Sequence, residues 1–272
     1  MATGNYVGVS DKARSITAGY VGVNGVARKI VKAYVGDSSS KARLCWKTKP
    51  TGYLEFTSPN SFSISASVGW NGTMECDNGN GWETWYGGSV SGTKIRFRGT
   101  NNTTIMSSPV VAWSIDGSNV ACNGNIETLL DYATVESGGH PAIGEYCFSS
   151  MFSGCTALTT APELPATELG DYCYAQMFQD CTNLTAIPAL PATTLPQGCY
   201  HLMFWNCSKI KLSVTKTTEY TQAYRIPTKG TGKYAVDATS VSEMFVGTGG
   251  TFTTGPNINQ IYYLHSSNSI VD

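Results

Sequence analysis

Apolar positions between residues 123 and 208 recur with a period of 26 residues. Residues 145–170 read EYCFSSMFSGCTALTTAPELPATELG, and 171–196 read DYCYAQMFQDCTNLTAIPALPATTLP. A third copy opens QGCYHLMFWNCSKIKLS at residue 197 and then diverges. Within a copy Cys147, Met151 and Cys155 stand four apart, a spacing that predicts one face of a short helix. Leu158 and the stretch from Pro162 to Leu169 predict a strand and a return segment. Ile126, Leu129 and Leu130 predict an N-terminal cap helix, and Met244-Phe245 with Thr251 to Pro256 a degenerate closing copy. Caps are needed because a stack of repeats with open ends would leave its core in water.

Two other patterns precede the repeats. Residues 1–49 carry a motif of period 14: Tyr6-Val7-Gly8-Val9 recurs as Tyr20-Val21-Gly22-Val23 and as Tyr34-Val35-Gly36, each followed by an Ala-Arg pair. Asn24-Gly25 suits a two-residue hairpin turn whose central residues both need positive φ, so the segment predicts tandem β-hairpins. Hairpins this short bury too little surface to stand alone, and they predict pairing with other copies or with a platform. Residues 50–122 alternate as strands do in Tyr53–Thr57, Ser61–Val68, Lys94–Arg98 and Val110–Ile115, with Pro-Asn, Asn-Gly and Gly-Gly turns between. That pattern, with Trp70, Trp82, Trp85 and Trp113 as core or rim, predicts a β-sandwich. The organisation expected is mixed and mainly β: hairpins in 1–49, a sandwich in 50–122, repeats in 123–208 and a β-rich capping region in 209–272.

The repeat residues resemble the BspA-like class of leucine-rich-repeat proteins, in the form C-[FY]-x-x-M-F-x-x-C-x-x-L followed by P-x-L-P-A-T. The resemblance covers roughly residues 123–264 and implies an α/β leucine-rich-repeat solenoid. The YVGVNGVARKI pattern is similar to segments at the start of tail-associated proteins of phages and prophages of Gram-positive gut bacteria. The resemblance implies binding to host surfaces and brings no catalytic residues with it.

Charge adds an asymmetry that the formal net charge of -1 conceals. Residues 1–49 hold nine Lys or Arg against Asp11 and Asp37, whereas 99–208 hold nine carboxylates and no Lys or Arg. Ends of opposite sign suit different partners, and the acidic repeats cannot neutralise phosphate, which argues against a nucleic-acid partner. No run of about 18 apolar residues predicts a membrane span. The start MATGNYVGVSDKARS has no apolar core of a secretory signal, so release by lysis is the expected route and folding in a reducing cytoplasm is expected with it. Six of the nine Cys fall in the repeat register as buried small hydrophobes, with no zinc spacing and no disulfides expected.

Candidate chemistry is thin. The three His are His140, His201 and His265, and no nucleophile-base order, zinc-protease helix motif, phosphate loop or dinucleotide fingerprint accompanies them. No catalytic, metal or cofactor site is expected. Asp77-Asn78-Gly79-Asn80-Gly81 lacks the alternating carboxylates of a calcium loop and predicts a hairpin loop instead. Comparing copies separates repeating core positions from variable surface ones. Phe148, Tyr174 and Tyr200 recur in register and are structural. Ser149, Ala175 and His201 share one slot, and Ser153, Gln179 and Trp205 another four residues on, which places His201 and Trp205 together on an outer face. Trp205, His201 and Gln179 are therefore the candidate receptor contacts, unless a subunit or the C-terminal region covers Trp205.

The expected function is that of a non-enzymatic homo-oligomeric phage virion protein, a tail or fibre component, with a trimer as the analogy-based guess. Its basic segment would dock on other virion proteins and its repeats on a host glycan or protein. A bacterial surface adhesin, a structural decoration protein and a glycan-cleaving tailspike are the competing readings.

Overall fold

Two segments of the chain form separate compact units, 1–50 and 51–272. The computed structural model describes residues 19–23, 26–30, 32–36 and 42–47 by their backbone, and 52–106, 113–226, 240–257 and 261–271 in full. In the first unit β1 (Gly19–Val23) pairs antiparallel with β2 (Val26–Ile30), with Val23 opposite Val26; Asn24-Gly25 lies outside the described residues. β3 (Lys32–Gly36) pairs antiparallel with β4 (Ala42–Lys47). These hairpins take in the second and third copies of the 14-residue motif; the first copy lies outside the described residues.

The second unit is mainly β. The strands β5 (Leu54–Ser65), β6 (Thr73–Asp77), β7 (Glu83–Thr84), β8 (Val90–Thr100), β9 (Ser114–Asp116) and β10 (Val120–Asn123) belong to one sheet among the described residues, not to the two facing sheets of the expected sandwich. The two runs expected on either side of Pro59-Asn60 form a single strand, β5, whose register against β8 shifts between Thr57 and Phe62. Proline lacks an N–H, and a shift in the ladder is where a sheet tolerates it. Strict alternation places Leu54, Phe56, Ile95 and Phe97 in the core and leaves Glu55, Lys94, Arg96 and Arg98 outward.

Packed against β8 is α1 (Thr128–Glu136), the one α-helix among the described residues and the helix expected from Leu129 and Leu130. Asp131 interrupts it with φ -152° and ψ 100°, and its Oδ1 accepts the N–H of Thr134 at 2.9 Å, capping the second half. The helix lies close on β8 at Gly99, where any Cβ would collide with the carbonyl oxygen of Leu129. Buried Asn102 locks the same corner, donating to the carbonyls of Thr73 and Leu129, each at 2.9 Å.

The sheet does not end at residue 122. β10 continues in parallel to β11 (Leu158–Thr160), then to β12 (Ala186–Pro188) and finally to β17 (Ser269–Val271), so the β segment and the 26-residue repeats share one nine-stranded sheet and one hydrophobic core. β13 (Lys211–Ser213), β14 (Tyr220–Arg225), β15 (Gly249–Gly250) and β16 (Ile261–His265) form a second, four-stranded mixed sheet. Asn268 ties the two sheets. Its Nδ2 donates to the carbonyls of Thr185 (3.1 Å) and Lys209 (3.0 Å), and its Oδ1 accepts the N–H of Lys211 (3.0 Å).

The segments around Cys147–Cys155, Cys173–Cys181 and Cys199–Cys207 are not the expected short helices. They are runs of tight turns with a positive φ at every fourth residue: Tyr146, Ser150 and Gly154, then Tyr172, Gln176 and Asp180, then Gly198, Leu202 and Asn206. Their backbone N–H groups divide between two duties. Those of Ser149, Met151, Ser153 and Cys155 bond three residues back, whereas those of Tyr146, Phe148, Ser150, Phe152 and Gly154 reach Asp171, Cys173, Ala175, Met177 and Gln179 in the next copy. The second copy repeats this onto the third, and Tyr200, Leu202, Phe204 and Asn206 reach Ser240, Ser242, Met244 and Val246. A helix satisfies its N–H groups internally; this ribbon spends half of them on its neighbour.

Candidate functional site

The stacked ribbons present a regular surface, built on a repeating core. Phe152, Phe178, Phe204 and Phe245 form a column of near-parallel rings with centroid separations of 5.7, 5.6 and 5.5 Å. Edge-on rings close both ends of the column: Phe56 and Trp113 at Phe152, Tyr224 and Phe252 at Phe245. Phe148, Tyr174 and Tyr200 make a second buried column at 5.7 and 6.0 Å, as their recurrence predicted. Offset-stacked aromatic pairs add roughly 0.5–1.5 kcal/mol each beyond burial, so the columns favour one fixed register between copies.

The six repeat cysteines are free and buried beside these columns. Burial pushes the thiols of Cys147 and Cys155 up to about 12, and desolvation likewise raises those of Cys173, Cys181, Cys199 and Cys207. Such thiols stay protonated near neutrality, and the thiolate is the form that ligates or attacks.

The candidate contacts sit on the ribbons. Gln179 and Trp205 are both half-buried in the same slot of successive copies. A polar chain connects their ribbons: Gln176 Nε2 donates to Gln179 Oε1 (2.9 Å), Gln179 Nε2 to Asp180 Oδ2 (3.2 Å), and Asn206 Nδ2 to Asp180 Oδ1 (2.7 Å). His201 is half-buried, like Gln179 and Trp205. Its slot-mates Ser149 and Ala175 are buried, and its Nδ1 lies 2.6 Å from Ser242 Oγ in the closing segment. The structure thus links Gln179 to the ribbon that carries Trp205 and engages His201 elsewhere. Sequence reasoning missed Asp180 and Asn206, although their non-repeating slot (Gly154, Asp180, Asn206) carried the same signal as that of Trp205. It also missed the stacked pair Tyr146 and Tyr172, centroids 5.0 Å apart, in which Tyr146 is 39% exposed.

All three cations of residues 52–208 lie on the outward face of β8, where each is neutralised. Arg96 donates to Glu55 (2.9 Å) and reaches Asp77 (3.4 Å), Arg98 donates to Glu75 (2.7 Å), and Lys94 lies 3.8 Å from Glu55. Arg98 also lies between the rings of Trp82 (4.1 Å) and Tyr132 (4.4 Å). Asp77 accepts the N–H groups of Gly79 (2.8 Å) and Gly81 (3.1 Å), and with Arg96 these hold its carboxyl below the usual range. Residues 78–82 are accordingly the loop between β6 and β7, held by an acid already in use.

Among the described residues no group of three or more His, Cys, Asp or Glu is placed to hold a metal ion, and no helix is long and apolar enough to cross a membrane. Two small, open grooves lie among the described residues, about 310 Å³ beside Leu190, Tyr224 and Arg225 and about 80 Å³ beside Asp77 and Arg96. What this surface offers is a set of hydrogen-bonded ribbons whose outward positions vary from copy to copy and carry acidic groups without Lys or Arg. Comparison with known protein families, with curated proteins and with solved structures finds no match.

Proposed function

We propose that this chain is a non-enzymatic, oligomeric virion protein of a bacteriophage, a tail or fibre component whose stacked copies form a BspA-like leucine-rich-repeat solenoid that contacts the host. The observation that carries the reading is the hydrogen-bonded ladder from copy to copy, with aromatic columns inside and non-repeating side chains outside. A scaffold of that kind holds variable positions in fixed geometry, as a recognition surface requires. The solenoid has no helical layer; its ribbons take that place. In this reading the basic segment 1–49 docks on other virion proteins and joins copies of the chain, as a trimer by analogy with fibres. The acidic ribbons, with nine carboxylates and no cation from 99 to 208, face a host glycan or protein that is not a polyanion.

Trp205, His201 and Gln179 are the ribbon contacts proposed, with Trp205 the main anchor. A buried Trp anchor contributes roughly 2 kcal/mol or more to an interface, so Trp205→Ala should weaken adsorption to host cells at least about tenfold. The test compares adsorption, melting temperature and oligomer mass for the wild type and Trp205→Ala. Adsorption equal to wild type, or lost only through unfolding, removes Trp205 from the site. Antibody labelling of particles in the electron microscope tests the virion reading itself. Label on a bacterial surface in the absence of particles would favour the adhesin.

A further inference from the structure

Two loops at one end of the large sheet meet in an uncharged, aromatic tip. Residues 66–72 lead from β5 to β6, residues 85–89 from β7 to β8, and the N–H of Ala66 donates to the carbonyl of Gly87 at 2.9 Å. Behind the tip Trp70 and Trp85 are buried and stacked with centroids 5.2 Å apart at 13°, and Trp85 Nε1 donates to the carbonyl of Gly88 at 2.7 Å. Gly87 has φ +83°, and any Cβ there would strike the carbonyl oxygen of Ala66, so glycine lets the two loops touch.

Tyr86, held between these two fixed residues, is 79% exposed, and Val68 beside Gly87 is 52% exposed. Ser67, Gly88 and Ser89 are exposed around them. No charged residue occurs in 65–74 or 84–93, in contrast to the paired charges of the neighbouring outward face. Tyr, Ser, Gly and Trp on rigid loops are the composition of binding loops: the ring supplies large contact area with little conformational entropy to lose, and the small residues supply hydrogen bonds.

We propose that this tip binds a neutral oligosaccharide, with Tyr86 stacking on the apolar face of one sugar ring and Ser67, Ser89 and the Gly88 backbone meeting its hydroxyls. The inference rests on the receptor-binding reading and narrows it to a ligand class and a place outside the ribbons. Two features select the occupant. Two exposed apolar side chains fall far short of the roughly 1,000 Å² that a specific protein interface needs, but they match one or two sugar rings. The absence of charge gives a polyanion or polycation nothing to pair with.

The experiment uses the full-length protein against an array of uncharged hexose and N-acetylhexosamine oligosaccharides, with Tyr86→Ala and Tyr86→Phe alongside. The wild type should bind a subset, Tyr86→Phe should bind within about twofold, and Tyr86→Ala should lose at least about tenfold, all three keeping the same melting temperature and oligomer mass. Failure of the wild type to bind any neutral oligosaccharide overturns the proposal, as does Tyr86→Ala binding like wild type. A changed oligomer mass for Tyr86→Ala would mean that a second copy covers the tip, and overturns it too. Adsorption to host cells, run in parallel, separates the two levels. A wild type that adsorbs undiminished by Tyr86→Ala sinks this site alone, whereas a wild type that adsorbs to no host sinks the receptor-binding reading.

Discussion

The thiol of Cys155 donates to the carbonyl oxygen of Trp113 across 3.1 Å. The same bond runs from Cys181 to Phe152 at 3.0 Å and from Cys207 to Phe178 at 2.9 Å. Trp113 therefore occupies, for the first ribbon, the place that each ribbon occupies for the next. Its N–H donates to the carbonyl of Met151 at 2.8 Å, and Ile105 and Met106 donate to that of Cys147. The outward carbonyls of the first copy are thus closed by chain that carries no repeat motif, a cap that leaves no orphaned acceptors at these positions.

The six repeat thiols should be inert in the folded protein. Each is buried, and each is raised by desolvation, so almost no thiolate exists at pH 8. Iodoacetamide followed by mass spectrometry should leave Cys147, Cys155, Cys173, Cys181, Cys199 and Cys207 unlabelled until denaturant is added, and fully labelled afterwards. A bridge between Cys155 and Cys181 in the native protein would show that the ladder is oxidised and the expectation mistaken.

Stability should fall in alkali. The folded-state thiols of Cys147 and Cys155 lie at about 12, above their ordinary value of 9.0, so above pH 9 the unfolded chain loses protons that the folded chain keeps. That favours unfolding. The loss begins near pH 9, grows as pH rises towards 12, and amounts to about 1.4 kcal/mol per pH unit for each thiol fully in that window. Urea midpoints from pH 8 to 10.5 measure it. Cys147→Ala should start less stable but decline less steeply, and an unchanged slope would rule out this thiol as a contributor.

Substitutions at Leu202 should separate a turn ribbon from a helix by sign. Leu202 has φ +54°, where a Cβ costs roughly 1 kcal/mol. Leu202→Gly should therefore be about 1 kcal/mol more stable than Leu202→Ala, although both lose the half-buried side chain. In a helix interior the order is reversed by a similar amount. Chemical denaturation of the pair decides, and the alanine variant proving the more stable would count against the ribbon.

Removal of residues 1–46 should convert an oligomer into a monomer. The described hairpins of this segment are two-stranded, which leaves open edges, and two strands alone are marginal in water. Light scattering on the full-length and truncated proteins gives the answer. A monomeric mass for the full-length chain would end the idea that this segment assembles it.

The mainly-β character and several buried positions were legible in the chain itself. The period of 26 located the buried Cys, Met and Phe positions and the aromatic column of Phe148, Tyr174 and Tyr200, because a side chain in the shared core of identical copies must repeat. The 14-residue motif located the strands of the two described hairpins. Leu129 and Leu130 located the one helix among the described residues. The conformation of the ribbons was beyond such reading, since a four-residue spacing is common to a helix and to turns with a positive φ at every fourth residue. What selects the turns is the bond from the N–H of Phe148 to the carbonyl of Cys173 and its equivalents, whose partners lie 25 residues away. The same is true of the single sheet in place of a sandwich, of His201 turning to Ser242, and of the loop contact that projects Tyr86. Sequence periodicity fixes which side chains are buried, because burial is a property of each position; which backbone groups pair across copies, and which faces remain open, is decided only when distant segments meet and every buried N–H and C=O must find a partner.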